Sequence, residues 1–521
     1  MATTAPMDTY AAGLVLRSRR RLITALAMLA AALLGVAFAE LTFGSAIAVV
    51  LLGALAVVVV VWMAPWVGVI FLVASAALIE QFSLAAEGTF SDGTDRIPIF
   101  QSLNASAGLG GIYATPFELF LALLLAVWII KGFATRTLAL PRTALGRSIA
   151  LFAILVAIGW IRGVTGGGST QNALLELRPW LYLVIGYLAT SQLIRTEKQV
   201  RVLLGVLAAG IGIKGIQGVI TLLTHSGRPQ AILAHEESFF FGLYLALLAG
   251  LWIVPIKGRL RTLMTALSPF VLVSDVANQR RTAWAIVAVA LVVVFLICFA
   301  RFPERRKAIA MLAFVGCVLA GIYWVGFSND PGLLGQPARA LLSQLTPSTR
   351  DQQSNQYRTV ENIDLGIGIR QAMPLGTGFG HPIPQSVPNV DISNVDSFIS
   401  YLPHNGVLYV WLRLGLLGMV AFWLMIGVAA MTAINTFRRP PGQIGLIIGI
   451  TVLAALFAYI TQGFYDMGLY WFRIAIVMGC LMGALEAVRR LRPTDAPAEP
   501  PAPSTRSSVQ DRDAVKLGHA A

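Results

Sequence analysis

The chain has 521 residues, of which 57% are hydrophobic and only 12% charged, and its mean hydropathy is +0.74. A soluble domain carries about a quarter charged residues, so this composition excludes a water-soluble globular protein and indicates an integral membrane protein. Lys and Arg outnumber Asp and Glu by 39 to 25, a net charge of +14 that in a soluble chain suggests nucleic acid but here is first explained by basic cytoplasmic loops.

A bilayer core takes roughly 20 mainly apolar residues per helix. Runs that meet or approach this lie near 22–39, 44–62, 64–80, 115–131, 147–163, 178–194, 199–223, 237–256, 260–276, 283–300, 307–327, 406–433, 442–463 and 467–488. They predict an all-α polytopic protein of about 12–14 transmembrane helices, with the short runs at 64–80 and 260–276 open to being tilted, re-entrant or merged with a neighbour. Arg17, Arg19, Arg20 and Arg21 place the N-terminal segment 1–21 in the cytoplasm. Alternation from there puts a basic cluster in every inside loop long enough to hold one, including Arg195, Lys198 and Arg201, then Lys257, Arg259 and Arg261, and later Arg438 and Arg439. The C-terminus is then also inside. Ala37-Phe38-Ala39 resembles a signal cleavage site, but removing the first run inverts this register.

The division that follows has membrane helices over 22–327, an extracytoplasmic loop over 328–405, further helices over 406–492 and a disordered Pro/Ala/Ser-rich tail over 493–521. A second outside segment covers 81–112. Cys298, Cys317 and Cys480 all sit in apolar runs, where an odd count predicts small buried hydrophobes and no disulfide framework.

Arg residues on the disfavoured side or inside spans each need a partner or a task, because a charge at bilayer depth costs about 2.5 to 3.5 kcal/mol on insertion scales. Arg280-Arg281-Thr282-Ala283-Trp284 occupies a tight outer turn, and a guanidinium there can grip phosphate oxygens bidentately or serve only as an interfacial anchor. Gln356 to Met373 can form a helix along the membrane surface carrying Tyr357 and Arg358. Pro374-Leu375-Gly376-Thr377-Gly378-Phe379-Gly380 reads as a flexible turn re-entering the membrane, since no βαβ unit surrounds it to make it a dinucleotide fingerprint. In Pro403-His404-Asn405-Gly406, Asn405 is an N-cap that sets His404 at the outer end of a long helix, where the dipole favours a neutral imidazole beside an anion. Such a histidine is a candidate general base or an idle interfacial residue.

His235-Glu236-Glu237 is metal-friendly in composition only, because adjacent residues do not share a helix face, so no metal or other cofactor is expected. Arg178 and Lys214 lie within spans and pair with carboxylates or with a substrate headgroup, and Asp466 is a possible counter-ion.

With these residues placed, the chain resembles the O-antigen ligase and polymerase family. Arg281-Thr282-Ala283-Trp284 is similar to that family's Ser-Arg-Gly-Ala-Trp, and Arg358 followed by Pro374-Leu375-Gly376-Thr377-Gly378 is similar to its Arg…Pro-Leu-x-Gly-x-Gly segment. His404-Asn405-Gly406-Val407-Leu408 with Leu414-Gly415-Leu416-Leu417-Gly418 resembles its His-Asn-x-x-Leu…Gly-Leu-x-Gly signature. Arg280 replaces the usual Ser, and Arg413 stands where an acidic residue is common.

The resemblance implies a GT-C-type fold and a metal-independent, inverting transfer of a glycan from undecaprenyl diphosphate, on the outer face of a bacterial inner membrane. It implies His404 as general base and Arg281 and Arg358 on the diphosphate, with Arg280, Arg178, Lys214, Asn405 and Tyr357 as candidate substrate contacts. The acceptor is a glycolipid, glycan or protein; ligation and polymerisation share these residues. A transporter with an outer anion site is the reading from another class, disfavoured by the scarcity of intramembrane acids for ion coupling.

Overall fold

The computed structural model describes residues 46–81, 97–107, 111–224, 232–254, 258–343, 346–347, 349–389 and 400–491. The expectations for 1–21, for the run at 22–39 and for the tail at 493–521 lie outside the described residues, as do His225, Arg228 and Lys257.

Every apolar run expected from residue 44 onward is a helix. In chain order they are α1 (Ala46–Met63), α2 (Pro65–Leu78), the short α3 (Leu103–Ala107), α4 (Pro116–Ala134), α5 (Ala144–Thr165), α6 (Thr170–Leu193), α7 (Glu197–Thr224) and α8 (Glu237–Ile253). There follow α9 (Arg259–Ala277), α10 (Arg281–Arg301), α11 (Arg306–Phe327), α12 (Gln336–Leu342), α13 (Thr349–Ala372), α14 (Gly406–Arg438), α15 (Gly442–Tyr465) and α16 (Phe472–Arg490). Among the described residues there is no strand, and eight helices are long and apolar enough to cross a membrane. The chain is an all-α, multi-pass membrane protein.

Helix starts follow local chemistry. Thr115 caps α4 through a reciprocal capping box with Glu118, and Pro116 takes the first-turn position where its missing N–H costs nothing. Thr143 and Ser169 cap α5 and α6 through their hydroxyls, which accept the Gly146 and Asn172 N–H groups.

The centre of the bundle is the pair α6 and α16. They approach closely because α16 presents Gly479 and Gly483, spaced as in membrane small-xxx-small contacts. A Cβ at Gly479 would stand 2.2 Å from the Leu183 carbonyl, so alanine there forces the helices apart. The outermost helix is α11, whose apolar side chains are largely exposed, as a lipid-facing helix requires. Cys317 lies on it and is exposed, which corrects the expectation of three buried thiols; Cys298 and Cys480 are buried.

Three ion pairs lie inside the bundle. Lys214 of α7 donates to Glu80 at 3.0 Å, Arg473 of α16 meets Glu237 of α8 at 2.6 Å, and Arg413 of α14 meets Glu176 of α6 at 2.8 Å, all with zero side-chain exposure. Low-dielectric surroundings make an unpaired charge too costly to keep, so each span that carries one is tied to a particular neighbour.

Candidate active site at the His404 end of the bundle

Two helices build this site. α13, from the long loop, starts at Thr349, ahead of the stretch from 356 expected from sequence, and packs on the first turns of α14 through Leu365, Ile369, Ile383 and Leu412. On α13, Tyr357 and Glu361 are four residues apart and Arg358 and Glu361 three apart, so all three lie along one side of the helix. α14 begins where expected: Asn405 accepts a hydrogen bond from the Leu408 N–H at 3.1 Å and leaves His404 just before the first turn.

His404 meets a carboxylate that the sequence reading did not single out. Glu361 Oε2 lies 3.2 Å from His404 Nδ1 and accepts the His404 backbone N–H at 3.0 Å. A carboxylate at Nδ1 fixes the ring orientation and leaves Nε2 for a substrate hydroxyl. It also supplies negative charge against the helix N-terminus, so the dipole is not the only field on this imidazole. The Tyr357 ring stands edge-on to His404, 5.8 Å between centroids.

Arg281 opens α10 and reaches α13. Its guanidinium lies 3.5 Å from Asp351 and 3.4 Å from Asn355 Oδ1, one turn before Arg358, so the two predicted phosphate ligands converge on the same helix. Arg358 is half-buried, and its Nε has no hydrogen-bond partner among the described residues. Arg280 is the residue before α10 and borders this cluster by sequence.

Asp466, in the turn between α15 and α16, closes the group from below. Its carboxylate lies 3.0 Å from His235 Nδ1, and the His235 ring stacks on Trp471 at 6.4 Å. Burial alone raises a carboxyl pKa, yet His235, Arg358 and His404 together hold Asp466 well below the usual carboxylate range. Asp466 therefore pairs with His235 and lies in the field of Arg358 and His404.

The Gly-rich segment is not a loose re-entrant turn. Gly378 adopts φ +77 and lies against the α5 backbone, where a Cβ would come 2.5 Å from the Gly163 nitrogen. Gly415 at φ 67 breaks the helical backbone of α14, and Leu416 N–H donates to the Pro374 carbonyl across that break. Arg413, whose role the sequence leaves open, holds this arrangement: it binds Glu176 at 2.8 Å and Thr377 Oγ1 at 3.2 Å, while Glu176 accepts the Gly380 N–H at 3.1 Å. The segment is a rigid strap that fixes the first turns of α14, and with them His404.

Arg178 and Lys214 are not brought to His404. Arg178 donates to Glu118 of α4 at 2.9 Å and Lys214 to Glu80, so both satisfy the carboxylate-pairing alternative. Asn405 spends its side-chain oxygen on the cap. Among the described residues no group of three His, Cys, Asp or Glu is placed to hold a metal ion.

The signal that could have found Glu361 is its spacing from Tyr357 and Arg358 on a helix already expected to face the outer surface. Glu176, in a span 237 residues from Arg413, has no comparable local signal.

Residues 266–423 match the family model described as O-antigen ligase. No curated protein matches the chain. The matched segment runs from α9 to the first half of α14 and carries Arg281, Arg358, Glu361 and His404; over this segment the chain is similar to the O-antigen ligase family.

Proposed function

We propose that the protein transfers a glycan from undecaprenyl diphosphate to an acceptor hydroxyl, at the outer face of the bacterial inner membrane. The observation that carries this reading is His404 held by Glu361 beside Arg358 and Arg281. His404 Nε2 takes the proton of the acceptor hydroxyl as its oxygen attacks the anomeric carbon from the face opposite the diphosphate. The bond from that carbon to the phosphate oxygen breaks, its electron pair leaves on undecaprenyl diphosphate, and the glycoside forms with inversion. Arg281 and Arg358 meet the charge that grows on the departing diphosphate, where guanidinium forks match phosphate oxygens. Arg281 points its guanidinium toward Asp351 and Asn355 at 3.5 and 3.4 Å. Arg280 and Tyr357 border the same site and complete the candidate substrate contacts. The acceptor in a ligase is a lipid A core or another envelope molecule.

The test is transfer by the reconstituted protein from a lipid-diphosphate glycan donor. Removing a general base costs about 10²- to 10⁴-fold in rate, so His404→Ala should fall by that factor while still binding donor. Arg281→Ala and Arg358→Ala should lose donor binding as well as rate. Near-normal transfer by His404→Ala refutes the general-base assignment. In cells lacking the gene, uncapped acceptor with long chains still on carrier lipid marks a ligase, and accumulation of single repeat units marks a polymerase.

A further inference from the structure

At the other end of the bundle, a cavity of about 600 Å³ opens between the N-terminal ends of α7, α9 and α15 and the C-terminal end of α8. It is far from His404: α15 begins at this cavity and ends beside Asp466, a rise of about 36 Å at 1.5 Å per residue. Its walls are apolar, formed by Leu204, Leu251, Leu260, Leu263, Ile444 and Ile447. Its rim is basic, with Lys198 and Arg201 from α7 and Arg259 and Arg261 from α9.

Among the described residues, the carboxylate paired with a rim cation is Glu197, which meets Arg201 at 3.3 Å in a pair whose arginine is mostly exposed. Arg261 lies over the Trp252 ring at 4.7 Å, an amphipathic residue of the kind that sits at headgroup level. A free anion entering this cavity would lose water against apolar walls, and an apolar molecule would leave the cations unanswered. An amphiphile with a negative head answers both.

We propose that this cavity is a binding site for an anionic glycerophospholipid of the adjoining leaflet, its phosphate between Lys198 and Arg259 and one acyl chain along Leu204, Leu251 and Ile447. The cations that the sequence reading assigns to membrane orientation then also hold a structural lipid. The volume is that of an ordinary small-molecule site. Basic pockets between spans are the form that anionic-lipid recognition takes in membrane proteins.

The full chain, purified in neutral detergent, is titrated with phosphatidylglycerol, with phosphatidylcholine of the same chains, and with inorganic phosphate, reading bound lipid by native mass spectrometry and unfolding temperature in parallel. Phosphatidylglycerol should bind at least tenfold more tightly than phosphatidylcholine, and phosphate alone should give no stabilisation. The double variant K198E/R259E should lose the tenfold preference, whereas R438E/R439E, at a separate basic surface, should keep it. Gly205→Leu provides a charge-neutral check that does not depend on the double variant folding. A Cβ there meets nothing within 4 Å, and leucine is the better helix former, so the chain folds while the acyl seat is filled. This variant should bind both lipids at least tenfold more weakly. Equal binding of the two lipids, full stabilisation by phosphate alone, or unchanged lipid binding in Gly205→Leu overturns the proposal.

Discussion

The interior of the bundle and the His404 end use the same residue types in opposite ways. Inside, Arg413–Glu176, Arg473–Glu237 and Lys214–Glu80 stand at 2.6 to 3.0 Å with no exposure. At the His404 end, Arg281–Asp351 is 3.5 Å and His404–Glu361 3.2 Å, each with at least one partner open to solvent. A charge in a span is therefore not by itself a sign of chemistry. What separates the two regions is whether the pair is already closed or can still take a third group.

The hardest break of this contrast is Arg413→Ala. It strands Glu176 in the core, and removing one partner of a buried pair costs about 3–5 kcal/mol. Little folded protein should be recovered, with transfer lost alongside. Replacing both partners, as Arg413→Met with Glu176→Gln, should recover much of the unfolding temperature in detergent. If Arg413→Ala is as stable as wild type, the strap over the first turns of α14 is not held by this pair.

Glu361→Gln probes the open kind of pair. The glutamine keeps a hydrogen bond to Nδ1 and removes the charge that steadies the imidazolium, so kcat should fall by about 10²-fold, inside the range a general base supplies. KM for the donor should stay within about twofold, since His404 acts on the acceptor, and the unfolding temperature should barely move. A purely structural role for Glu361 predicts the reverse pattern: lost stability with kcat per folded molecule unchanged.

How far the two regions are legible in sequence follows from the range of the interactions that make them. Helices follow from runs of apolar residues, and Asn405 capping α14 follows from side-chain reach over three residues. Arg281 and His404 announce themselves because each is a polar group at the edge of an apolar run, whereas Arg358, inside a polar helix, is picked out by the family motif. Glu361 is half-legible, by helical spacing alone. The partners of Arg413, Arg178 and Lys214 are not legible, because Glu176, Glu118 and Glu80 are chosen by which spans become neighbours. The rigidity of the Gly376–Gly380 strap was hidden for the same reason: its glycines answer to the α5 and α14 backbones, distant in sequence.

Asp466 stands between the regions, buried like the interior acids but shared by His235, Arg358 and His404. Its folded pKa is depressed, so the stability it contributes is complete above the ordinary Asp value of about 3.9 and is lost as pH falls below that value. Asp466→Asn should lower stability at neutral pH by about 1.5 kcal/mol, the low end for a charged hydrogen bond because His235 is 41% exposed. Comparing unfolding temperatures at pH 7 and near pH 3 checks the sign. The gap between wild type and variant should narrow in acid, and a constant gap means the carboxylate charge contributes nothing.

The smallest effect sharpens the contrast most, because Asn405 is claimed by both sides of it. Its oxygen caps α14 at 3.1 Å from the Leu408 nitrogen, while its position next to His404 makes it a candidate substrate contact. Losing a cap costs about 1 kcal/mol, and serine and aspartate cap nearly as well as asparagine. Asn405→Ala should therefore lower the unfolding temperature slightly, and Asn405→Ser should restore it. If the cap is the whole role, transfer kinetics recover with stability in the serine variant. If the amide also touches the glycan, donor KM stays raised in Asn405→Ser although its unfolding temperature is normal, because a hydroxyl caps the helix but does not reproduce the amide's two N–H donors.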